Sequence, residues 1–382
     1  MARKIKVLHI IKTLSLGGAE TNLLNLATAF DSGRVETHVA YSFGGEIEDR
    51  FHAAGARLFK YADGNYRIKS LNTIPIVLRL AQYIRKQGID VVHTHNFNGH
   101  VWGLLAAKMA GAKVVEHVHD FRYTPAGELA RRHGLLAQYK FIKYFRNQSD
   151  CIIVLTHDHA QYVVEQGIAP MGRVTELQNG IPMNDAEAPH AGDLRQKLGI
   201  PAEAVVILTS ARMDPVKNID LILAIAPRLL KFAPQCIFVV AGSGSRLQEY
   251  KDRAQRAGLA SHVRFIGFVQ DMYSLLTAAD VFLLPSFLEL HSIAILEALK
   301  MKLPVVVSQG VGCHDEFIQN GVNGLLCDPF AEEPWIRGLA QLAGDPALRK
   351  TMGLRGHETC RRLFNIEDTA ARVEKIYAGL VA

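Results

Sequence analysis

The stretch AVVILTSARMDPVKNIDLILAIAPRLLKFAPQCIFVVAGSG, residues 204–244, decides the fold. It opens on an apolar run of strand length, AVVIL, without the alternation of a half-exposed strand, as a strand covered on both faces requires. A polar loop follows, ARMDPVKN, then the helical pattern IDLILAIAPRLLKF, then a second apolar run, CIFVV, that ends in glycines. Apolar strands separated by amphipathic helices indicate a parallel sheet with helices on both sides. The pattern continues downstream through VRFIGF, VFLLPS, AILEALKM and PVVVSQ. Upstream the same order runs through KVLHII, ETNLLNLATAF, THVAYS, DVVHTH, VWGLLAAKMAG and KVVEHVH. Between the two halves lies MNDAEAPHAGDLRQKLGIPAE, polar and rich in Ala, Pro, Gly and Asp. The expected fold is α/β, two Rossmann-like doubly wound parallel-sheet domains facing a central cleft. Their expected limits are 1–183 and 199–366, with a linker at 184–198 and a C-terminal helix at about 367–382 free to pack back on the first.

The chain has 382 residues, enough for two domains, and nearly half are apolar, which is globular rather than disordered. A formal charge of +6 is a modest excess. It suits anionic small molecules or an anionic membrane surface, and no nucleic-acid partner is expected. The cysteines, Cys151, Cys236, Cys313, Cys327 and Cys360, are scattered without a C-x-x-C pair, as reduced cytosolic thiols are. In the opening MARKIKVLHIIKTLSLGGAE, Lys12 interrupts the apolar run, so a first strand is expected rather than a signal peptide. No apolar run approaches the roughly 18 residues of a membrane span. A cytoplasmic location is expected.

Ligands of open parallel sheets bind at the carboxyl ends of strands, so the cleft between two such domains is the expected site. After the first strand, Gly17 and Gly18 precede a helix; bare backbone there admits a ligand, and the helix start offers amides to an anion. A tight strand-to-helix turn is the alternative reading. His93, His95, His117 and His119 close two strands as pairs at i and i+2, each pair on one sheet face. No carboxylate or cysteine cluster with ligand spacing accompanies them, so no metal is expected. His119, beside Asp120, is the one expected to hydrogen-bond in the cleft, and the other three are expected to be packed and satisfied. In the second half, Arg212 and Lys217 flank Pro215 in one loop, a guanidinium fork and an ammonium that can converge on a diphosphate. Gly242 and Gly244 form another turn after a strand. In PSFLELHSIAILEALK, residues 285–300, Glu289 lies in the loop before a helix and Glu297 within it, flanked by apolar residues. An acid in such surroundings has a partner. His291, Ser292 and Ile293 stand at that helix's start, where a nucleotide diphosphate would meet free amides.

This ordered set, GGAE, RMDPVKN, GSGSRL, VRFIGF, FLLPS, the Glu289-x7-Glu297 pair and GVNGLL, resembles the retaining glycosyltransferases of family 4, which have the two-domain GT-B fold. The resemblance spans nearly the whole chain. It implies a nucleotide-diphosphate sugar as co-substrate, UDP or GDP, with no cofactor and no metal. By that likeness Arg212 and Lys217 would hold the diphosphate and stabilise the leaving group, and Glu289 would position the sugar. Glu297 would hold the ribose, and His119 would contact the sugar or the reacting region. Gly17 and Gly18 would flank the phosphates and the acceptor entrance. Two departures stand out. Leu290, His291 and Ser292 replace the usual glycine-rich segment after the first Glu, where they would crowd the donor pocket or add a polar group to it. Cys313 stands where a second glycine is usual.

The expected activity is a metal-independent hexosyl or N-acetylhexosaminyl transfer to a glycan or lipid-linked acceptor in bacterial envelope or exopolysaccharide synthesis. Residues 128–147, where Arg131, Arg132, Lys140, Lys143 and Arg146 are interleaved with aromatic and leucine side chains, suit a helix on anionic lipid at the inner face of the cell membrane. A basic solvent face on an ordinary packed helix is the alternative. A nucleotide-sugar epimerase on the same scaffold and a non-catalytic sugar-nucleotide binding protein are the competing classes.

Overall fold

The computed structural model of the chain describes residues 3–63, 73–120, 148–184 and 191–382. The basic segment 128–147 lies outside them. The chain forms two compact units, Met1–Pro182 with Ile366–Ala382, and Met183–Asn365.

The first unit holds strands β1 (Ile5–Ile10), β2 (Val35–Tyr41), β3 (Arg57–Lys60), β4 (Val91–Thr94), β5 (Lys113–His117), β6 (Cys151–Val154) and β7 (Val174–Glu176). They pair in the order β3-β2-β1-β4-β5-β6-β7, every pair parallel. β4 and β6 are buried at every position, which is why β6, CIIV, is an unbroken apolar run, while β4, VVHT, buries His93 and Thr94 as well. The helix Thr73–Gln87 turns Ile76, Val77, Leu80, Ala81 and Ile84 inward as one stripe. The helix Phe97–Ala110 begins where the Asn96 side chain accepts from the Gly99 amide and ends at Gly111, whose φ of 81° is left-handed.

The helix Ile366–Val381 belongs to this unit, where Val373 and Tyr377 are fully buried in a cluster with Leu26 and Phe30. Its start lies tight against Gly180. A Cβ at Gly180 would come within 2.7 Å of Thr369 Oγ1 and 2.9 Å of Ile366 Cα.

The second unit holds β8 (Val205–Ser210), β9 (Cys236–Ala241), β10 (Val263–Gly267), β11 (Val281–Leu284), β12 (Val305–Ser308) and β13 (Leu325–Cys327). Their order is β10-β9-β8-β11-β12-β13, again all parallel. Trp335, Phe238 and Leu283 are among its fully buried side chains, each worth roughly 2 kcal/mol of transfer free energy. Within 184–198, read from sequence as linker, Ala191–Lys197 is helical. Arg195 ties that helix to the second unit by donating to the Ala278 carbonyl and pairing with Asp280 at 2.7 Å.

In each sheet the chain starts in the middle and winds both ways. β1 lies between β2 and β4, and β8 between β9 and β11. Ligands of doubly wound sheets bind at the carboxyl ends where the winding direction switches. The loops after β1 and β4, and those after β8 and β11, are therefore the ones to inspect.

Candidate functional site

In the second unit the β8 and β11 loops bring Lys217 and Glu289 together across 72 positions of sequence. Lys217 Nζ donates to Glu289 Oε1 at 2.5 Å, and Ser286 Oγ donates to the same oxygen at 2.9 Å. The pair is largely enclosed, with side chains 16% and 9% exposed. Local geometry explains the placement of Lys217. Pro215–Lys217 is one turn of 3-10 helix opened by its proline, and Asn218, at φ 51°, turns the chain into the helix Ile219–Phe232. The Phe287 amide donates to the Val216 carbonyl at 2.8 Å, so backbone as well as side chains join the two loops.

A third loop fastens them. A Cβ on Gly312, whose φ is 58°, would lie 2.4 Å from the Leu290 carbonyl oxygen and 2.7 Å from that of Glu289. Both the amide and the thiol of Cys313 donate to the Leu290 oxygen, each at 3.1 Å. Cys313, the departure noted in sequence, thus helps hold the Glu289 loop. Sequence reading missed His314, which is fully buried and has Nδ1 2.8 Å from the Ser308 carbonyl. Burial holds its pKa below the ordinary value, opposed by that hydrogen bond and by the negative charge of Glu289.

The remaining residues singled out in this unit are placed differently. Arg212 does not join Lys217: its side chain is 75% exposed and pairs with Asp214 at 2.8 Å. Gly242 and Gly244 serve loop packing. A Cβ on Gly242, at φ 131°, would lie 1.9 Å from the Ala211 carbonyl oxygen, and one on Gly244 would lie 2.8 Å from the Met213 nitrogen. The Gly242–Gly244 turn therefore backs the loop that carries Arg212 and Lys217. Glu297 is half-buried within the helix Ile293–Lys300; Ser292 is its N-cap residue and Ile293 is buried. The His291 ring turns inward, 4.9 Å from Phe364, edge to face, and 6.0 Å from Phe317. Burial lowers its pKa to about 3, so the ring is neutral. Leu290 is buried as well, so both side chains pack into the unit's interior.

In the first unit Gly17 is the N-cap of the helix Gly18–Ala29 and makes no side-chain cap, and Gly18 is exposed with open space where a Cβ would sit. The neighbouring Glu20 carboxyl is pushed up by burial. The strand-end histidines form one cluster with a fifth, His9, on β1. His93, His95 and His117 are buried; His93 stacks on His95 and on His117, His117 stacks on His119, and the rings of His95 and His117 are tilted by 40°. They are packed but not all satisfied: both ring nitrogens of His117 and Nε2 of His93 are buried without a hydrogen-bond partner among the described residues. Nitrogens of His9, His93 and His95, and of His95, His117 and His119, lie within 4.8 Å of one another. The planes of His117 and His119, however, are 29° apart at 4.0 Å. Imidazole lone pairs lie in the ring plane, so His117 and His119, stacked this way, do not both aim at one ion at the ~2 Å a metal requires.

The family model described as Glycosyl transferases group 1 matches residues 191–359, and that described as Glycosyltransferase Family 4 matches 16–185. The chain is 25% identical to a UDP-Gal:alpha-D-GlcNAc-diphosphoundecaprenol alpha-1,3-galactosyltransferase of Escherichia coli, over 99% of this chain and 98% of that one. It is 27% identical to the lipopolysaccharide core biosynthesis glycosyltransferase LpsE of Rhizobium meliloti, over 92% and 93%. In fold it is similar to Anabaena Alr3699/HepE, solved in complex with UDP and glucose, with a TM-score of 0.84 and 20% identity over 98% of this chain and 99% of that one.

Proposed function

The chain belongs to the group 1 glycosyl transferases with the GT-B fold, and we propose that it transfers a sugar from UDP, with retention of configuration, to a glycan or lipid-linked acceptor of envelope or polysaccharide synthesis. The observation that carries this reading is the enclosed Lys217–Glu289 pair at the β8 and β11 strand ends. The names of the relatives support the donor class: the Escherichia coli enzyme uses UDP-Gal, and the Anabaena protein was solved with UDP-glucose as well as with UDP.

Lys217 is the cation for the diphosphate. When a donor arrives, its ammonium shifts from Glu289 to a phosphate oxygen, and the freed carboxylate accepts hydrogen bonds from the sugar hydroxyls. Arg212, exposed at the same loop, swings from Asp214 to add a second positive charge. Glu297 holds the ribose, while the backbone of His291, Ser292 and Ile293 receives the anion at the helix start. His119 contacts the sugar, and Gly17 and Gly18 leave room for phosphate and acceptor. In the reaction the acceptor oxygen bonds to the anomeric carbon as the bond to the β-phosphate oxygen breaks. The acceptor proton passes to the departing phosphate, and the two cations stabilise the negative charge of UDP without a metal. The enzyme works on the cytoplasmic face of the membrane, with 128–147 as the segment that meets anionic lipid.

Incubation of the full chain with UDP-, GDP- and ADP-hexoses and N-acetylhexosamines tests this. The expected result is release of UDP from a UDP-sugar in the presence of EDTA, with an α-linked product from an α-linked donor. Interconversion of the sugar without loss of the nucleotide points instead to an epimerase, and binding without turnover to a sugar-nucleotide binding protein.

A further inference from the structure

The second unit holds a concavity of about 570 Å³ whose lining includes Gln319, Asn323, Arg355, Glu358, Arg361 and Arg362. Its loop, 319–323, leads into the amino end of β13, whereas Lys217 and Glu289 follow the carboxyl ends of β8 and β11. In an all-parallel sheet these are opposite rims, so the concavity is separate from the Lys217–Glu289 site. Asn323 builds its floor. That side chain is buried, accepts from the Gln319 amide at 2.7 Å, and donates to the Phe317 carbonyl at 2.9 Å and to Thr359 Oγ1 at 3.1 Å. The last of these fastens the loop to the helix Pro346–Leu363. A Cβ on Gly356 would lie 3.1 Å from the Asn323 carbonyl oxygen and 2.7 Å from Leu299 Cδ2, so a bare backbone there lets helix and loop approach this closely.

Arg355, Glu358 and Arg362, at i, i+3 and i+7, share one face of that helix. Arginines elsewhere are tied to acids, as Arg195 is to Asp280, Arg228 to Glu333 and Arg246 to Asp220. Arg355, Arg361 and Arg362 are exposed, and among the described residues none of them pairs with an acid, Glu358 included, or donates to a carbonyl. The helix dipole favours cations at Arg361 and Arg362 in the last turn, but it fades within that turn and does not account for Arg355. Three guanidinium groups against one carboxylate leave the concavity with a formal charge of +2. One guanidinium fork is enough for a carboxylate; three around one space suit an anion with more acceptor oxygens. A phosphate monoester offers three, and its charge at pH 7 is about −1.5 to −2. A phosphodiester, as in most lipid headgroups, carries a single charge and matches less well.

We infer that this concavity is a second anion site that takes a soluble phosphate monoester of sugar-phosphate size. The three arginines hold the phosphate, and the exposed Gln319 side chain meets the group that bears it. The volume lies within the range of small-molecule sites and leaves room for that group. Neither the site nor its test depends on the sugar-transfer reading.

Spectra of the arginine Nε–H groups in the ¹⁵N-arginine-labelled full chain, assigned from Arg355→Lys, Arg361→Lys and Arg362→Lys, read the site locally. The probe is glucose 1-phosphate at pH 7 in about 0.1 M salt. The expected result is a saturable shift of all three signals with one dissociation constant, and binding of the diester dimethyl phosphate roughly tenfold weaker or more. Arg355→Gln is expected to weaken glucose 1-phosphate roughly tenfold, and Glu358→Gln, which removes the one opposing charge, to tighten it about threefold, both with unaltered circular dichroism. Shifts that grow with concentration without saturating, equal affinity for monoester and diester, or unchanged affinity in both variants overturn the inference. So does a response of the three arginines to phosphatidylglycerol vesicles and not to glucose 1-phosphate, which would make the patch a membrane contact.

Discussion

Lys217 and Glu289 define the chemistry at the scale of single residues, and they also depend on each other. Lys217→Ala removes the cation from the proposed diphosphate site and leaves an enclosed carboxylate without its partner. Turnover is expected to fall roughly hundredfold or more, and stability to urea by about 2–3 kcal/mol, because a lone enclosed charge costs more than the pair contributes. Lys217→Met with Glu289→Gln is expected to restore much of that stability and none of the activity. A double variant as unstable as Lys217→Ala would show that the charge pair is not what the fold depends on. His291 supplies a second test at this scale. Its folded pKa, about 3, lies below the unfolded value of about 6.5. Between those values the unfolded chain binds a proton that the folded chain does not, so wild-type stability falls as pH falls through that window. His291→Phe lacks that loss, so its stability relative to wild type is expected to rise by up to about 1.4 kcal/mol per pH unit between pH 6 and 4. Parallel curves for the two proteins would place the ring in a wetter setting. Glu289 and Lys217 were legible in the sequence as residue types in loops, and Glu297 as an acid within a helix. The 2.5 Å contact between Lys217 and Glu289 was not, because it follows from β8 lying beside β11. Nor was the inward turn of His291, since a polar residue in a loop carries no sign of which way its side chain faces.

Elements are where the sequence was read best, and the packing of its glycines is where it said least. Apolar runs identified β1, β2, β4, β5 and β8 to β12, since burial on two faces writes itself into composition, whereas β3, β6, β7 and β13, of three or four residues each, were not singled out. Gly242 and Gly244 were recognised as a turn, yet their purpose appears only when the β8 and β9 loops are seen to touch at Ala211 and Met213. Gly242→Ala is expected to cost about 3 kcal/mol or more, from the left-handed backbone and from the collision with the Ala211 carbonyl; urea unfolding checks it. Gly312→Ala acts on a different quantity. Its Cβ would press on the carbonyls of Glu289 and Leu290, so the Glu289 loop must shift. The expected result is a fall in kcat of roughly tenfold or more, with unaltered secondary structure by circular dichroism. Unchanged kinetics would mean that the loop can give way without moving Glu289.

At the scale of the whole molecule, the two units carry, among the described residues, unequal numbers of imidazoles whose pKa is lowered by burial. His9, His38, His93, His95 and His117 in the first unit all have pKa values lowered by burial, against His291 and His314 in the second. Each binds a proton more readily when unfolded, so each withdraws stability as pH drops below about 6.5. The first unit is therefore expected to loosen first on acidification. Hydrogen exchange at pH 5 compared with pH 7 should rise in β1, β4 and β5 before it rises in β8 and β11; the reverse order would contradict the count. The division into two units was legible from the restart of the strand-helix pattern after residue 200. The packing of Ile366–Val381 was visible only as a possibility, because an amphipathic helix shows that it has a buried face and not what covers it.

That helix also sets an order of events during synthesis. The chain leaves the first unit at Pro182, builds the whole of the second, and returns at Ile366. On a ribosome the second unit can close on itself while the first still waits for Val373 and Tyr377, so the Leu26 and Phe30 surface stays open to chaperones until nearly all of these residues have been made.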